Sequence, residues 1–379
     1  MNNIKYFDHA ATTPVDKRVL EEMLPYFSQN FGNPSSLYSI GKQNKEAISI
    51  SRMKIASSIN AKVNEIYFTN GGSESDNLAI KGIAFANKKR GNHIITSKIE
   101  HPAVLNTCKY LEKFGFEITY LDVDNNGFIN LKQLENSIRR NTILISIMFA
   151  NNEIGTIQSI KEISNIAKKY RIYFHTDAVQ AMGNVKIDVN KLGIDSLSMS
   201  GHKFYGPKGI GAVYIKENIP FMSIIDGGHQ EQDKRAGTEN VPGIVGMGKA
   251  IELAEIEMEE NNERIKYLRE YFIQNIENTI PYVIVNGDRQ KRLPGNANIS
   301  FKGVDRNRLL QELDKMGICA SSGSACSAGK LTSSHVLTEI GVPKIFEKGS
   351  LRITIGKGNT KEEVDYLIDS LIEIVRKIR

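Results

Sequence analysis

Between about residue 60 and residue 215, short apolar runs alternate with longer amphipathic segments. The runs are rich in β-branched or aromatic residues, which is typical of strands buried on both faces. Helix-length spacers between such strands favour parallel neighbours, because a parallel pair needs a long crossover. The sequence therefore predicts an α/β fold with a mainly parallel central sheet. Its strands are expected at residues 65–69, 93–96, 116–121, 142–149, 172–176, 196–199 and 211–215.

A smaller second domain is predicted towards the C-terminus. Apolar residues recur among charges from Ile251 to Ile276, as in a long amphipathic helix. Beyond it, Thr360 and Glu363 match a capping box that begins a final helix. Strands are expected at 283–285, 297–301 and 351–355. We therefore expect a large domain over residues 13–257 and a compact α+β domain of residues 1–12 and 258–379, joined within the long helix.

Composition excludes several classes of protein. The chain has 379 residues, of which 40% are hydrophobic and 24% charged, so it can bury a large core without disulfides or metals. Three cysteines and the lack of an apolar leader argue against a disulfide framework and favour a reducing cytoplasm. No stretch approaches the roughly 18 apolar residues of a membrane span, so we expect a soluble protein.

The net charge of +6 is a mild excess spread along the chain. Its densest clusters, such as Lys88-Lys89-Arg90, are short and lie beside expected helix ends, as solvated faces do. Direct nucleic-acid binding is not expected, although a weak contact with tRNA or with an acidic partner stays open.

Lys203 is the most informative single residue, because a strand that ends in Asp177 precedes it by 26 positions. A lysine in this place, after Ser200 and His202, suits a Schiff base to a carbonyl cofactor better than a surface charge does. This indicates a pyridoxal-phosphate enzyme. Asp177 is expected at the C-terminal edge of the sheet, where it would pair with a protonated pyridine nitrogen, with Gln180 near the same ligand. A helix N-cap is the alternative interpretation of Asp177.

A phosphate site is expected after the first strand. Residues 66–80 predict a strand, a turn and a helix that begins near Asp76. Gly71 and Gly72 let the backbone approach an anion, and the amides of the helix start would hold it with the Ser73 hydroxyl. Taken alone, the segment fits an ordinary tight turn at least as well.

One cysteine has the setting of a nucleophile. Cys326 lies in a run of small residues at 321–329, which suits a thiol that must travel. Cys108, on an apolar-spaced helix, and Cys319, in an apolar run, are expected to be buried core thiols.

Two other motifs fail on spacing. Residues 122–127 match half of a calcium loop, but the twelfth position is Gln133 in place of a bidentate glutamate. Residues 323–330 resemble a P-loop, yet five residues separate the glycines and Leu331 replaces the magnesium-binding hydroxyl. The seven histidines show no metal-ligand spacing, so no metal site is expected.

Eight motifs in order along the chain resemble the cysteine desulfurases of the NifS and IscS type, within the class-V aminotransferase group. They are Phe7-Asp8-His9-Ala10-Ala11-Thr12-Thr13-Pro14, Gly72-Ser73-Glu74-Ser75, Glu100-His101-Pro102-Ala103-Val104, Asn151-Asn152-Glu153-Ile154-Gly155, His175-Thr176-Asp177-Ala178-Val179-Gln180, Ser200-Gly201-His202-Lys203, Arg235-Ala236-Gly237-Thr238-Glu239-Asn240 and Ser322-Gly323-Ser324-Ala325-Cys326. This resemblance implies the fold type I of pyridoxal-phosphate transferases, with the cofactor in the large domain and the catalytic cysteine in the small one.

The resemblance also implies roles around the cofactor ring. Lys203 would carry pyridoxal 5'-phosphate and later move the substrate α-proton. Asp177 would pair with the pyridinium, Gln180 would bond the ring hydroxyl, and His101 would stack on the ring and serve in proton transfer. A simple helix cap is the alternative for His101.

Further residues are implied at the phosphate and the substrate. The phosphate would be held by Gly72, Ser73, Ser200 and His202, and by Thr238 from the other subunit of a homodimer. Asn152 would lie near the substrate and cofactor oxygens. Arg352 would clamp the substrate carboxylate in a bidentate fork; a surface strand residue is the alternative.

The implied reaction converts L-cysteine to L-alanine and leaves a persulfide on Cys326. A neighbour such as His101, or the substrate thiol, would have to supply the thiolate, because free thiols titrate near pH 8.5. The sulfur would pass to an iron–sulfur scaffold or a tRNA-thiolating enzyme. Two departures leave the acceptor open: Gln232-Asp233 stands where many relatives have Arg-Gly, and the chain stops at Arg379 without their C-terminal extension. A related transaminase or selenocysteine lyase, and a non-catalytic protein of the same fold, are the competing hypotheses.

Overall fold

The computed structural model describes residues 4–323 and 334–379. The strands of its largest sheet are β2 (Ile66–Thr69), β3 (His93–Ser97), β4 (Glu117–Leu121), β5 (Thr142–Ser146), β6 (Tyr173–Asp177), β7 (Ser196–Ser200) and β8 (Gly211–Ile215). Within the described ranges their order is β2-β8-β7-β6-β5-β3-β4. The pairs from β4 to β7 are parallel, whereas β8 is antiparallel to both of its neighbours. The predicted α/β class with a mainly parallel sheet is confirmed.

Helices cover both faces of this sheet. Every residue of β3, β5, β7 and β8 is buried, and successive side chains of a strand point to opposite faces. The helices of the described ranges are α1 (Lys17–Met23), α2 (Pro25–Ser28), α3 (Ser39–Ser58), α4 (Gly72–Ala86), α5 (Pro102–Glu112), α6 (Leu131–Asn136), α7 (Ile160–Lys169), α8 (Val189–Leu192), α9 (Val241–Thr279), α10 (Arg306–Lys315), α11 (His335–Glu339), α12 (Lys344–Glu347) and α13 (Lys361–Ile378).

A second hydrophobic core surrounds a smaller antiparallel sheet. Its strands have the order β12-β10-β9 and are β9 (Val283–Asn286), β10 (Asn296–Phe301) and β12 (Ser350–Thr354). Phe272, Phe301 and Leu371 are among its buried residues. The predicted capping box of α13 is present, with Thr360 and Glu363 bonded to each other's backbone.

The long helix α9 contacts both cores. It begins at Val241, whereas the sequence placed its start at Ile251. Glycines interrupt the apolar periodicity in this first part of the helix, so the sequence pattern did not predict it. They are needed for close packing, because a Cβ on Gly248 would lie 2.7 Å from Cβ of Ser51 in α3. The first half of α9 packs on the main core and the second half on the smaller core. The division of domains at residue 257 falls between these halves and stays a prediction.

The N-terminal segment joins the smaller core. Strand β1 (Lys5–Tyr6) pairs in parallel with β11 (Ile318–Cys319), and Phe7 accepts a hydrogen bond from the Thr354 amide. The residues that follow, Asp8 to Ala11, then pass along the C-terminal edge of the main sheet. None of the helices in the described parts of the chain combines the length and apolar character needed to cross a bilayer.

Candidate active site

A cavity of about 790 Å³, including open space at its mouth, lies at the C-terminal edge of the main sheet. Ligands bind at this edge in open α/β sheets, and the volume lies within the usual range for small-molecule sites. Ten residues predicted from the sequence line it: Gly72, Ser73, His101, Asn152, Asp177, Gln180, Ser200, His202, Lys203 and Arg352. Residues from both cores therefore meet in one site.

Lys203 lies just after β7, in a short 3-10 turn. Its Nζ donates hydrogen bonds to the carbonyl oxygens of Ala10 and Ala11, at 2.5 and 2.8 Å. Gln180 Nε2 donates to the same Ala10 oxygen at 3.0 Å. The N-terminal segment thus holds the amine at the cavity wall, where a carbonyl compound in the cavity can reach it.

Two buried carboxylates lie side by side near this amine. Asp177 ends β6, and its Oδ1 accepts a hydrogen bond from the Val179 amide at 2.9 Å; the residues that follow form turns, so Asp177 is not the N-cap of a helix. Burial raises the pKa of Asp177, although the charges of His101 and Lys203 oppose the shift. Burial and then the charge of Asp177 raise the pKa of Asp76 well above its usual range. Such a pair favours a cation or a shared proton beside it.

His101 caps α5 and also lines the cavity. Its Nδ1 accepts a hydrogen bond from the Ala103 amide at 3.1 Å, so the neutral ring carries its proton on Nε2. Burial lowers the pKa of His101, and the nearby Asp177 carboxylate does not offset that effect. Both interpretations of this residue therefore apply: it caps a helix and presents a neutral imidazole to the cavity.

The opposite end of the cavity is suited to an anion. Helix α4 begins at Gly72 and not near Asp76, because Gly71, with φ of 151°, turns the chain directly into the helix. Its N-cap residue, Gly71, provides no side-chain cap for the first amides of the helix. Ser73, Ser200 and His202 surround this helix start, and His202 Nδ1 lies 3.1 Å from Thr12 Oγ1. We call the space around the start of α4, where an anion would bind, the cradle. A Cβ on Gly72 would lie only 2.7 Å from a Val179 methyl, so a side chain at this position would crowd the cradle.

Arg352 is buried in the wall of the cavity, with 1% of its surface exposed, which excludes the surface interpretation. Nη2 donates to Asp8 Oδ1 at 2.7 Å and Nη1 to the Asn152 carbonyl oxygen at 3.0 Å. Its buried Nε has no hydrogen-bond partner among the described residues. An unsatisfied guanidinium N–H in a cavity wall is suited to a carboxylate ligand.

These groups fit pyridoxal phosphate. The cradle at Gly72 would hold its phosphate, Asp177 its ring nitrogen and Lys203 its carbonyl carbon. The buried carboxylates supply the negative charge that a pyridinium needs, and the helix start supplies amides for an anion.

Of the predicted site residues that the structure describes, one lies away from the cavity. Thr238 is exposed and does not line this cavity. Cys326 lies outside the described residues. Cys108 is fully buried as expected, and burial raises the pKa of its thiol. Cys319 was expected in a core but is only partly buried, because it ends the two-residue strand β11.

Sequence reasoning missed three residues that support the site: Asp76, Asp8 and Glu153. Atoms of Asp76, His101 and Asp177 lie within 4.8 Å of one another, although these residues come from α4, from the cap of α5 and from the end of β6. Asp8 and Glu153 lie inside the motifs that carry the resemblance, whereas Asp76 directly follows one. Proximity to these motifs was the available signal.

Comparison with known proteins agrees with this geometry. The family model for class-V aminotransferases matches residues 5–367. The chain is 55% identical to the cysteine desulfurase IscS of Clostridium botulinum, over 100% of this chain and 96% of the relative. A solved NifS-like protein superposes with a TM-score of 0.93 at 38% identity, over 99% of this chain and 100% of that one. A structure of SspA in complex with cysteine gives a TM-score of 0.84 at 41% identity, with 94% and 100% covered. The chain therefore belongs to the class-V aminotransferase family of pyridoxal-phosphate enzymes, among its cysteine desulfurases of the NifS and IscS type.

Proposed function

We propose that this protein takes the sulfur of L-cysteine onto Cys326 and releases L-alanine. The observation that carries the proposal is the cavity itself. It brings an amine for the cofactor carbonyl, a carboxylate for the ring nitrogen and a guanidinium for the substrate carboxylate into one site, at Lys203, Asp177 and Arg352.

Bound pyridoxal phosphate would accept the electrons left on the substrate when its α-proton departs. Asp177, a buried residue of the cavity wall, would hold a proton on the ring nitrogen. Lys203 would take the α-proton, and the neutral imidazole of His101 would move a proton at the sulfur. Arg352 would orient the substrate through its free Nε and the second hydrogen of Nη2.

The proposed sulfur transfer balances without an external oxidant. The Cβ–S bond of L-cysteine breaks, a bond forms between that sulfur and the Cys326 sulfur, and the β-carbon is protonated. Cysteine and the Cys326 thiol thus become alanine and a persulfide, with the sulfur oxidised and the carbon reduced. Cys326 must react as a thiolate, since the thiol is a poor nucleophile.

A homodimer and a protein acceptor complete the proposal. Thr238 is exposed away from the cavity of its own chain, which suits a contact with the cofactor phosphate of a second subunit. Leu24, Phe27, Phe31 and Leu37 are exposed apolar residues near the N-terminus, as expected of a surface that a second copy covers. The acceptor would be an iron–sulfur scaffold or a tRNA-thiolating enzyme, in a reducing compartment such as the cytoplasm.

The test is alanine formation from L-cysteine by the protein loaded with pyridoxal phosphate. We expect activity in the wild type and its loss in Lys203→Ala and in Cys326→Ala, with the latter still loading cofactor. Alanine release that survives Cys326→Ala would instead indicate a lyase that needs no protein thiol. A colourless wild type that binds no cofactor would contradict the proposal.

A further inference from the structure

Asp76 is a buried acidic residue in the wall of the cavity. It lies near the start of α4, lines the cavity and has 1% of its surface exposed. The Ser198 hydroxyl of β7 bonds its carboxyl group, whereas its Oδ1 is buried without a hydrogen-bond partner among the described residues. An ionised carboxylate with an unsatisfied buried oxygen is costly, so this group needs a proton or a cation beside it.

The Asp177 carboxyl group lies close to that of Asp76. One oxygen of each acid and a ring nitrogen of His101 lie within 4.8 Å of one another. Asp177 Oδ1 already accepts the hydrogen bond from the Val179 amide. Two buried carboxyl groups at this separation cannot both ionise without a cation between them, so one of the two holds a proton.

The surroundings favour the proton on Asp76. Burial raises the pKa of Asp177, but the charges of His101 and Lys203 oppose this shift. Burial, the charge of Asp177 and then the charge of Glu100 all raise the pKa of Asp76, and only the Ser198 hydroxyl opposes them. Asp177 is therefore the better anion of the pair and Asp76 the better acid.

The other titratable groups that face Asp76 supply no positive charge near neutral pH. His175 Nε2 lies 3.8 Å from Asp76 Oδ1, but burial lowers the pKa of His175 to about 3. Serine hydroxyls lie 2.9 and 3.0 Å from its two ring nitrogens. Burial also lowers the pKa of His101 and raises that of Glu100 to about 8. A proton on Asp76 therefore satisfies the pair better than a neighbouring cation does.

We propose that Asp76 is a positioning residue that holds a proton beside Asp177, so that Asp177 alone of the pair is ionised at the cofactor's ring nitrogen. A protonated Asp76 can donate a hydrogen bond to Asp177 and fix the direction of that carboxylate. One negative charge then matches the single positive charge of a pyridinium, whereas a second buried carboxylate would stay unpaired. The inference rests on the proposed place of Asp177 at the ring nitrogen.

The test compares Asp76→Asn, Asp76→Ala and Asp177→Asn with the wild type. The Kd for pyridoxal phosphate is measured by absorbance titration at neutral pH. Infrared difference spectra between the loaded wild type and loaded Asp76→Asn are recorded for the carbonyl stretch of a protonated carboxyl group. Neither measurement depends on turnover of L-cysteine.

The variants should separate the two acids. Asp76→Asn should keep the Kd within about threefold of the wild type, because an amide resembles a neutral acid and can donate a hydrogen bond. Asp76→Ala should raise the Kd by about tenfold or more, because Asp177 loses a charged hydrogen bond. Asp177→Asn should raise it by about 100-fold or more, since the pyridinium loses its ionised partner.

The infrared spectra report the proton itself. We expect the wild type to show a protonated-carboxyl band that is missing in Asp76→Asn. A residue with a merely structural role would not produce this difference, because a buried ionised carboxylate has no such band.

Asp195→Asn is the matched control. Asp195 precedes β7, its Oδ2 accepts from the Phe174 amide at 3.0 Å, and burial raises its pKa, but it does not line the cavity. We expect this variant to bind pyridoxal phosphate as the wild type does. A weakened Kd in Asp195→Asn would mean that loss of any carboxyl group in this sheet disturbs the site, which would overturn the inference.

Three further outcomes would overturn it. A Kd in Asp76→Asn as weak as in Asp177→Asn would show that Asp76 is ionised. Wild-type affinity in Asp76→Ala would remove the positioning role. Identical protonated-carboxyl bands in the wild type and Asp76→Asn would remove the proton, and this comparison decides alone if Asp76→Ala does not fold.

Failure of the proposed function can be told apart from failure of this inference. Wild-type affinity in Asp177→Asn would reject the place of Asp177 at the ring nitrogen, and this inference with it. A loaded wild type that forms no persulfide on Cys326 would reject the sulfur transfer alone, because the affinities and the infrared band do not involve that thiol.

Discussion

Arg352 donates a hydrogen bond of 2.7 Å from Nη2 to Oδ1 of Asp8, a residue 344 positions earlier in the chain. The N-terminal segment that carries Asp8 also accepts two hydrogen bonds from the Lys203 amine, at the carbonyl oxygens of Ala10 and Ala11. The proposed substrate clamp and the proposed cofactor lysine are therefore both oriented by the same short stretch of chain.

Replacement of Asp8 by alanine should weaken substrate binding. Without this carboxylate, the buried guanidinium of Arg352 loses its charged partner and its fixed orientation. We expect KM for L-cysteine to rise about tenfold or more, the usual effect of losing a charged hydrogen bond, with a smaller change in kcat. Asp365→Ala is the control, since this exposed carboxylate pairs with Lys361 on α13. An unchanged KM in Asp8→Ala would contradict the role.

Gly72→Ala should weaken cofactor binding. The added Cβ would lie 2.7 Å from the Val179 methyl at the start of α4, where the phosphate is expected. We expect the Kd for pyridoxal phosphate to rise by about tenfold, in line with overpacking costs of about 1–3 kcal/mol. Gly358→Ala serves as the control, because a Cβ there meets nothing within 4 Å. Equal affinities in the two variants would argue against a phosphate cradle at Gly72.

Glu100 should make stability depend on pH. Its Oε1 accepts from Ser97 and from the Met148 amide, and full burial raises its pKa to about 8. The folded state then holds a proton that the unfolded state has released, so the stabilisation is complete below about pH 4.5 and is lost as the pH rises through about 8.

Glu100→Gln should remove this dependence, because the amide resembles the protonated acid and cannot ionise. Relative to the wild type, we expect the variant to gain about 2–4 kcal/mol in free energy of unfolding between pH 5 and pH 8.5. Urea unfolding of the cofactor-loaded proteins at the two pH values measures the difference. If the free energies of unfolding of the variant and the wild type differ by the same amount at both pH values, Glu100 is ionised in the folded protein.

The turn before Thr238 should depend on one buried ion pair. Glu231, Gln232 and Asp233 have φ values of 47°, 55° and 63°, which are unfavourable for residues with side chains. Arg52 holds the turn with two hydrogen bonds to Glu231, of 2.6 and 2.7 Å. Glu231→Ala should destabilise the protein by about 3–5 kcal/mol, as measured by urea unfolding.

The double variant Arg52→Ala/Glu231→Ala tests the pairing. Because each single change leaves an unpaired buried group, the double change should cost clearly less than the sum of the two. Strict additivity would mean that the two side chains do not stabilise the turn as a pair.

The main sheet could be predicted because its strands are short apolar runs. Their burial follows from the local sequence and does not require knowledge of contacts between distant segments. Helix starts were harder. Ser73 and Gly72 have low helix propensity, so the sequence placed the start of α4 near Asp76, yet the tertiary setting begins it at Gly72. Likewise the glycines after Val241 concealed the first part of α9, where close contact with α3 outweighs propensity.

The residues that line the cavity could be predicted from the sequence, but the contacts among them could not. Motifs named ten lining residues, and most of them lie at or near a strand end or helix start that the fold brings to one edge, whereas Arg352 lies in the middle of β12 and Asn152 in a loop. The bond from Asp8 to Arg352, the neighbouring carboxylates of Asp76 and Asp177, and the position of Glu153 depend on packing between distant segments. Local sequence patterns carry no signal for such contacts.

The most direct test of the account is to find the transferred sulfur. The cofactor-loaded wild type is given L-cysteine, quenched with an alkylating reagent, digested, and each cysteine peptide is weighed by mass spectrometry. We predict one extra sulfur atom on Cys326, and none on Cys108 or Cys319, together with equivalent alanine. An extra sulfur on Cys108 or Cys319 instead, or alanine formed with no sulfur retained on Cys326, would contradict it.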